Sequence, residues 1–174
     1  MGVAMLDGPK LYWVDAPFER RLAVSARPGG WEELEESAAA WRASGLDVVV
    51  SMLEREEAED LGLTDQARIC RAAGLHYINC PVPDHGTPED EDAVRAAVDE
   101  ALVHLNKGKR LAAHCFAGIG RSPLFVACVL ARYGVPTDVA WNRLILARGM
   151  RLPDTLAQQQ WAATFARGSA LLKP

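Results

Sequence analysis

Short apolar, β-branched runs alternate along this chain with longer stretches of helical period, and that alternation limits the architecture more than any other feature. Arg21–Ala26 (RLAVSA), Asp47–Met52 (DVVVSM), Leu75–Asn79 (LHYIN) and Arg110–Cys115 (RLAAHC) read as strands closed by turn or polar residues. Helical stretches lie between them at Trp31–Ala43, Leu53–Leu61 and Thr64–Ala73, with Thr64 as an N-cap. The clearest helix follows Pro88. It carries acids at its start and lysines at its end, complementing the macrodipole, and Val94, Ala97, Val98, Ala101, Leu102 and Leu105 form one apolar stripe. Three more helical segments, PLFVACVLARYG, DVAWNRLILARG and DTLAQQQWAATFARG, are each closed by glycine. Strands that alternate with helices predict an α/β fold, a single domain with a central parallel-rich mixed sheet flanked by helices. The helical tail should cover one face of that sheet more heavily. Trp13, Trp31, Trp41, Trp141 and Trp161 fall in apolar settings and are expected mostly in the core.

Composition narrows the partners. The 174 residues are 49% hydrophobic, enough for one core, and no repeat or linker divides them, so the domain is taken as residues 1–174. A formal net charge of −4 argues against a nucleic-acid partner, which would call for a basic excess. The N-terminal segment lacks a basic region followed by an apolar run, and no apolar stretch approaches the roughly 18 residues of a membrane span. A cytoplasmic monomer with no membrane partner is expected. Cys70, Cys80, Cys115 and Cys128 are scattered with no CxxC pair, and no histidine stands at metal-ligand spacing, so reduced thiols and no metal are expected.

One stretch carries chemistry. His114–Pro123 (HCFAGIGRSP) joins the strand ending near Cys115 to a helix beginning near Arg121. In open α/β sheets ligands bind beyond the carboxyl ends of strands, where helix N-termini point. Gly118 and Gly120 let backbone N–H groups converge on one point, and Arg121 adds a planar fork for two phosphate oxygens. Phe116, Ala117, Gly118, Ile119, Gly120 and Arg121 are therefore the candidate phosphate cradle. The same dipoles favour a thiolate, and cysteines in such settings ionise at roughly 3.5–7.5 rather than about 8.5. Easy ionisation also makes sulfur a good leaving group, which the second half of covalent catalysis needs. Ser122 can donate its hydroxyl to the departing sulfur. A leaving oxygen needs a proton, and Asp84, between prolines and ahead of Gly86 in PVPDHGTPED, is the candidate acid. His85 reads as a loop residue, and His76 and His104 as surface or packing residues. Arg148 and Arg151 are candidates to flank the phosphate.

With these residues in hand, the chain resembles the cysteine-based protein tyrosine phosphatase superfamily, compact dual-specificity branch, of the kinase-associated phosphatase type. HCFAGIGRSP matches the His-Cys-x5-Arg-Ser signature, and PVPDHGTP resembles the mobile acid loop. The likeness spans roughly Arg21 to Phe165, and the catalytic core is taken as about residues 21–166. It implies a phosphocysteine intermediate and no metal or other cofactor. It makes Cys115 the nucleophile, Arg121 the phosphate ligand, Asp84 the acid, Ser122 the aid to breakdown and His114 the residue that fixes loop and thiolate. Gln158, in DTLAQQQW, partly matches a glutamine that orients water. No upstream segment resembles the phosphotyrosine-recognition loop, which implies a shallow pocket, and the cradle carries no lysine, unlike the phosphoinositide-directed branch. The expected substrate is a phosphoprotein or phosphopeptide bearing phosphotyrosine, with phosphoserine and phosphothreonine as further candidates. Two other readings stand beside it: a phosphate-recognition module of weak activity, and a thiol-based sulfurtransferase or arsenate reductase. The reductase would want a resolving cysteine, for which Cys80 and Cys128 are the candidates.

Overall fold

The computed structural model describes residues 8–15 and 17–168. The N-terminal methionine-rich stretch and the last six residues, both part of the 1–174 domain assignment, lie outside them. Among the described residues, five strands form one sheet: β1 (Leu11–Trp13), β2 (Leu22–Ser25), β3 (Val48–Ser51), β4 (His76–Asn79) and β5 (Leu111–His114). Their order is β1-β2-β5-β3-β4. All neighbours run parallel except β1, which pairs antiparallel with β2. The mixed, parallel-rich α/β sheet is as expected. β5 lies at its centre, and β2, β3 and β5 are buried along their whole lengths. Strands covered on both faces need no alternation of polar and apolar residues.

Among the described residues, seven α-helices cover the sheet: α1 (Leu34–Ala43), α2 (Arg55–Asp60), α3 (Gln66–Ala72), α4 (Glu91–Asn106), α5 (Arg121–Tyr133), α6 (Thr137–Arg148) and α7 (Leu156–Gly168). One core layer is built from Leu34, Trp41, Ile69 and their neighbours beneath α1 and α3. The larger layer gathers α4, α5, α6 and α7 on the other face, so the helical tail does cover that face more heavily. α5 is its axis. Every residue from Arg121 to Ala131 is buried, the pattern of a helix enclosed on all sides rather than an amphipathic surface helix. α4 buries Val94, Ala97, Val98, Ala101 and Leu105, with Leu102 packed at the margin. Its N-cap is Asp90, whose carboxylate accepts from the Ala93 N–H.

Two local expectations are corrected, and one strand is added to those expected. Thr64 is not an N-cap: the Leu63–Asp65 turn closes with Gln66 N–H on the Leu63 carbonyl, and α3 starts at Gln66 behind Asp65. Trp31 is 69% exposed, because its ring lies across Gly62 rather than entering the core. β1 escapes the strand pattern because three residues are too few to show a period. It is held by the β2 ladder and by the Arg110 guanidinium, 4.2 Å above the Trp13 ring.

Candidate active site

Parallel strands place the loops after β5, β3 and β4 side by side at one end of the sheet. These three loops supply the site. The β5–α5 loop carries Cys115, the segment after β3 leads into α2 with Glu57, and the loop after β4 carries Asp84. Together with the turn before α7 they bound a cleft of about 290 Å³ lined by Asp84, His85, Cys115, Phe116, Ala117, Ile119, Gly120, Arg121, Asp154 and Gln158.

The β5–α5 loop is fastened through its carbonyls. The Phe116 carbonyl accepts from the Arg27 N–H at 3.0 Å, and Arg148 donates to the carbonyls of Ala117 and Gly118 at 3.0 and 3.1 Å. Among the described residues, no backbone N–H from Phe116 to Arg121 donates to another protein group. A loop whose carbonyls at Phe116, Ala117 and Gly118 are tied back while its N–H donors stay unspent is a ready anion site at a helix N-terminus. Gly118 makes it feasible. Its φ is +72°, and a Cβ there would sit 2.8 Å from the Ser25 carbonyl oxygen. Arg148, a sequence-level candidate to flank the phosphate, therefore braces the loop from behind. Arg151 is exposed and lines a separate, adjoining depression with Ile119 and Met150.

Cys115 is 3% exposed, and its Sγ lies 3.2 Å from Ser122 Oγ. The other three thiols are free and buried, and burial pushes them up: Cys70 to about 12, Cys80 to about 11, and Cys128 well above its ordinary value. Thiols so held stay protonated and inert. His114 is buried beside Cys115. Its Nδ1–H donates to the Cys115 carbonyl at 3.1 Å, and its Nε2 accepts from the Gln66 amide at 2.7 Å. Burial lowers its pKa to about 4; the bond to the Cys115 carbonyl opposes the shift and the Arg121 charge adds to it. A neutral imidazole with both nitrogens engaged fixes the strand end where the loop begins.

Arg121 is held in a fork. Its Nη1 and Nη2 donate to Glu57 at 2.7 and 2.8 Å, Nη1 also donates to the Val82 carbonyl at 3.0 Å, and Nη2 meets Asp84 Oδ1 at 3.0 Å. Burial disfavours its charge, but the Glu57 bonds, with Cys115 and Asp84 beside it, outweigh that and raise its pKa. Both Nη groups are fully engaged, and among the described residues the Nε–H has no acceptor. Asp84 is half-exposed at the cleft rim, where the His85 N–H also donates to it at 3.0 Å. The His85 ring reaches across to Asp154 at 2.5 Å, a bond that, with Asp84 nearby, raises the histidine pKa. Gln158 lines the far wall. Its Oε1 accepts from the Thr155 N–H while its backbone N–H meets Thr155 Oγ1, a capping box at the start of α7, and its Nε2 donates to the Gly86 carbonyl. The structure thus brings Cys115, Arg121, Asp84, Ser122, His114 and Gln158 together at one cleft, sets Arg148 behind the loop and Arg151 outside it, and adds Glu57 and Gln66, which the sequence did not point to. A guanidinium this buried calls for compensating acceptors, and a bidentate carboxylate serves it well. Only the strand order, however, shows which carboxylate does so.

The motif and its setting have counterparts elsewhere. A family model described as "Tc-R-P: Polymorphic toxin system, DSP-PTPase phosphatase" matches residues 24–135. The chain belongs to this family. Rat cyclin-dependent kinase inhibitor 3 is 26% identical over 126 residues, covering 71% of this chain and 59% of that protein. Mouse protein tyrosine phosphatase type IVA 2 is 30% identical over 100 residues, 49% of this chain and 57% of its own length. The chain spans less than two thirds of these curated relatives. Among solved structures, a kinase associated phosphatase with its catalytic-site cysteine replaced by serine superposes with a TM-score of 0.82 at 20% identity, over 92% of this chain and 95% of that one. PTPMT1 in complex with PI(5)P gives a TM-score of 0.71 at 18% identity, over 89% and 95% of the two chains. At such identities the superpositions bear on the fold, and they match it.

Proposed function

We propose that this DSP-PTPase family member hydrolyses phosphate monoesters of proteins, phosphotyrosine first, by way of a phosphocysteine on Cys115. The observation that carries the reading is the loop of unspent N–H groups from Phe116 to Arg121 closed around a buried thiol, with the Arg121 Nε–H free beside it. Those donors would hold the three non-bridging phosphoryl oxygens most strongly as the P–O bond breaks, which is where the largest rate gain lies.

A phosphoryl group entering the cleft competes with Asp84 for the guanidinium. Nη2 now serves both Glu57 and Asp84, so phosphate oxygens taking Nη2 and Nε release the Asp84 carboxyl toward the leaving oxygen. Cys115 Sγ forms its bond to phosphorus as the ester oxygen departs with the Asp84 proton. Water then attacks the phosphocysteine, Asp84 takes the proton it sheds, and the sulfur leaves with the Ser122 hydroxyl, 3.2 Å away, donating to it. Gln158 would orient that water once its Nε2 lets go of Gly86. His114 serves as the fixed support of the loop.

The buried, free thiols suit a reducing, cytoplasmic setting, and the chain is read as a monomer. No helix among the described residues is long and apolar enough to cross a membrane. Turnover of p-nitrophenyl phosphate and a phosphopeptide panel by wild type, Cys115→Ser and Asp84→Asn tests the scheme. Cys115→Ser should lose turnover, and Asp84→Asn should lose more with the poorer leaving group of a phosphopeptide. Wild-type rates from Cys115→Ser would end it.

A further inference from the structure

His76, Glu100 and His104 bring three metal-binding side chains together outside the cleft, with donor atoms all within 4.8 Å of one another. His76 opens β4, the edge strand of the sheet, and Glu100 and His104 share a face of α4 because they are four residues apart. His76 Nε2 lies 2.6 Å from Glu100 Oε1, and the His76 and His104 ring centroids are 4.4 Å apart at 42°. The histidine–glutamate bond accounts for His76 and Glu100. It leaves the His104 ring unexplained: among the described residues neither of its nitrogens has a hydrogen-bond partner.

Two imidazoles and one carboxylate, with water in the fourth position, are a zinc donor set, with bonds of about 2.0–2.2 Å. Tetrahedral geometry at those lengths sets neighbouring donors about 3.4 Å apart. The 2.6 Å pair must therefore open by under an ångström while the rest close from no more than 4.8 Å. Side chains that are 46% and 47% exposed can make such adjustments by small rotations. The metal takes the place of the proton shared by His76 and Glu100. Calcium and magnesium, which demand oxygen donors, are poorly served.

We propose that His76, Glu100 and His104 form a zinc site that clasps the edge strand to α4. The β4 register pairs His76 with Val48 and Asn79 with Ser51, whose β5 partners are Leu111 and His114. His76 is thus at the opposite end of its strand from the phosphate loop, about 10 Å further along at 3.3 Å per residue. The clasp spans the two elements that flank the Asp84 loop, and touches none of the loop itself. Lys107 and Lys109 lie near enough to His104 to repel a cation, so binding is weaker than in a closed structural site.

The intact chain, stripped with chelator, is titrated with zinc chloride by calorimetry and with cobalt(II) by absorbance, alongside His104→Ala and the milder Glu100→Gln. One zinc per chain is expected at this site, with affinity at least tenfold weaker in each variant and a zinc-dependent rise in melting temperature confined to wild type. Turnover of p-nitrophenyl phosphate in zinc-free buffer should be unchanged in both variants. Absence of zinc binding, or equal affinity in wild type and both variants, would overturn the proposal. So would a cobalt spectrum showing sulfur-to-metal charge transfer that disappears in Cys115→Ser, since it would place the metal in the phosphate loop.

Discussion

Removing the Glu57 carboxylate should damage catalysis without touching any atom that meets the phosphate. Arg121 is 2% exposed and Glu57 21%, and their two bonds of 2.7 and 2.8 Å join charged partners. Bonds of this kind are worth about 1.5–3 kcal/mol each, and stripping one partner from a fully buried pair costs about 3–5 kcal/mol. Water reaches the Glu57 side, and Val82 and Asp84 still hold the guanidinium, so about 2–3 kcal/mol of stability is the expected loss for Glu57→Ala. Glu57→Gln keeps one acceptor but turns an N–H toward an N–H, and should lose about 1–2 kcal/mol. The kinetic effect is separate. With Glu57 gone, Asp84 becomes the sole carboxylate on Arg121, so the guanidinium shifts toward the acid loop and phosphate must compete harder for it. A misplacement of about 1 Å costs on the order of a hundredfold in rate. Urea unfolding measures the first quantity, kcat/KM for p-nitrophenyl phosphate the second. The inhibition constant for orthovanadate should rise in parallel with the kinetic loss, which a purely structural defect would not produce. Glu57→Ala with a wild-type unfolding midpoint and kcat/KM within threefold of wild type would refute the reasoning.

Two further outcomes follow from the same geometry. Gly118→Ala must place a side chain at a φ of +72° and 2.8 Å from the Ser25 carbonyl oxygen, so the loop shifts; about 1–2 kcal/mol of left-handed strain and a loss of roughly a hundredfold in kcat/KM are expected, and a melt with kinetics near wild type would contradict this. His114, at about 4 in the fold against an ordinary 6.5, binds its proton more readily when the chain is unfolded. Its contribution is complete above pH 6.5 and is lost as pH falls toward 4, about 3 kcal/mol in all. Proton–nitrogen NMR should show its ring neutral at pH 5, and a midpoint near 6.5 would contradict the buried, doubly bonded imidazole.

The sequence revealed contiguous features and concealed those that depend on strand order. Cys115, Arg121 and Ser122 are legible because one loop holds them at fixed spacing, and Asp84 because prolines and glycine mark its turn. Glu57 sits on a six-residue helix rich in acids, where no local signal separates it from Glu54, Glu56 or Glu59. It is singled out only because β3 lies beside β5 and delivers α2 against the signature arginine. Gln66 is hidden for the same reason, since it reaches His114 from an element distant in sequence, and Arg148, named as a flank of the phosphate, turns out to brace the loop carbonyls instead. The thiol question resolves the same way. Cys80, Cys115 and Cys128 belong to one core layer, yet only Cys115 faces a loop of free donors.

The whole account turns on covalent transfer to one sulfur, and rapid quenching with a phosphopeptide tests that most directly. Ser122→Ala should slow breakdown, so quenched samples of that variant digested for mass spectrometry should show one phosphoryl group on the peptide containing Cys115, appearing before free phosphate is released. Steady release of phosphate with Cys115 unmodified at every time point, or a phosphoryl group on another residue, would contradict it.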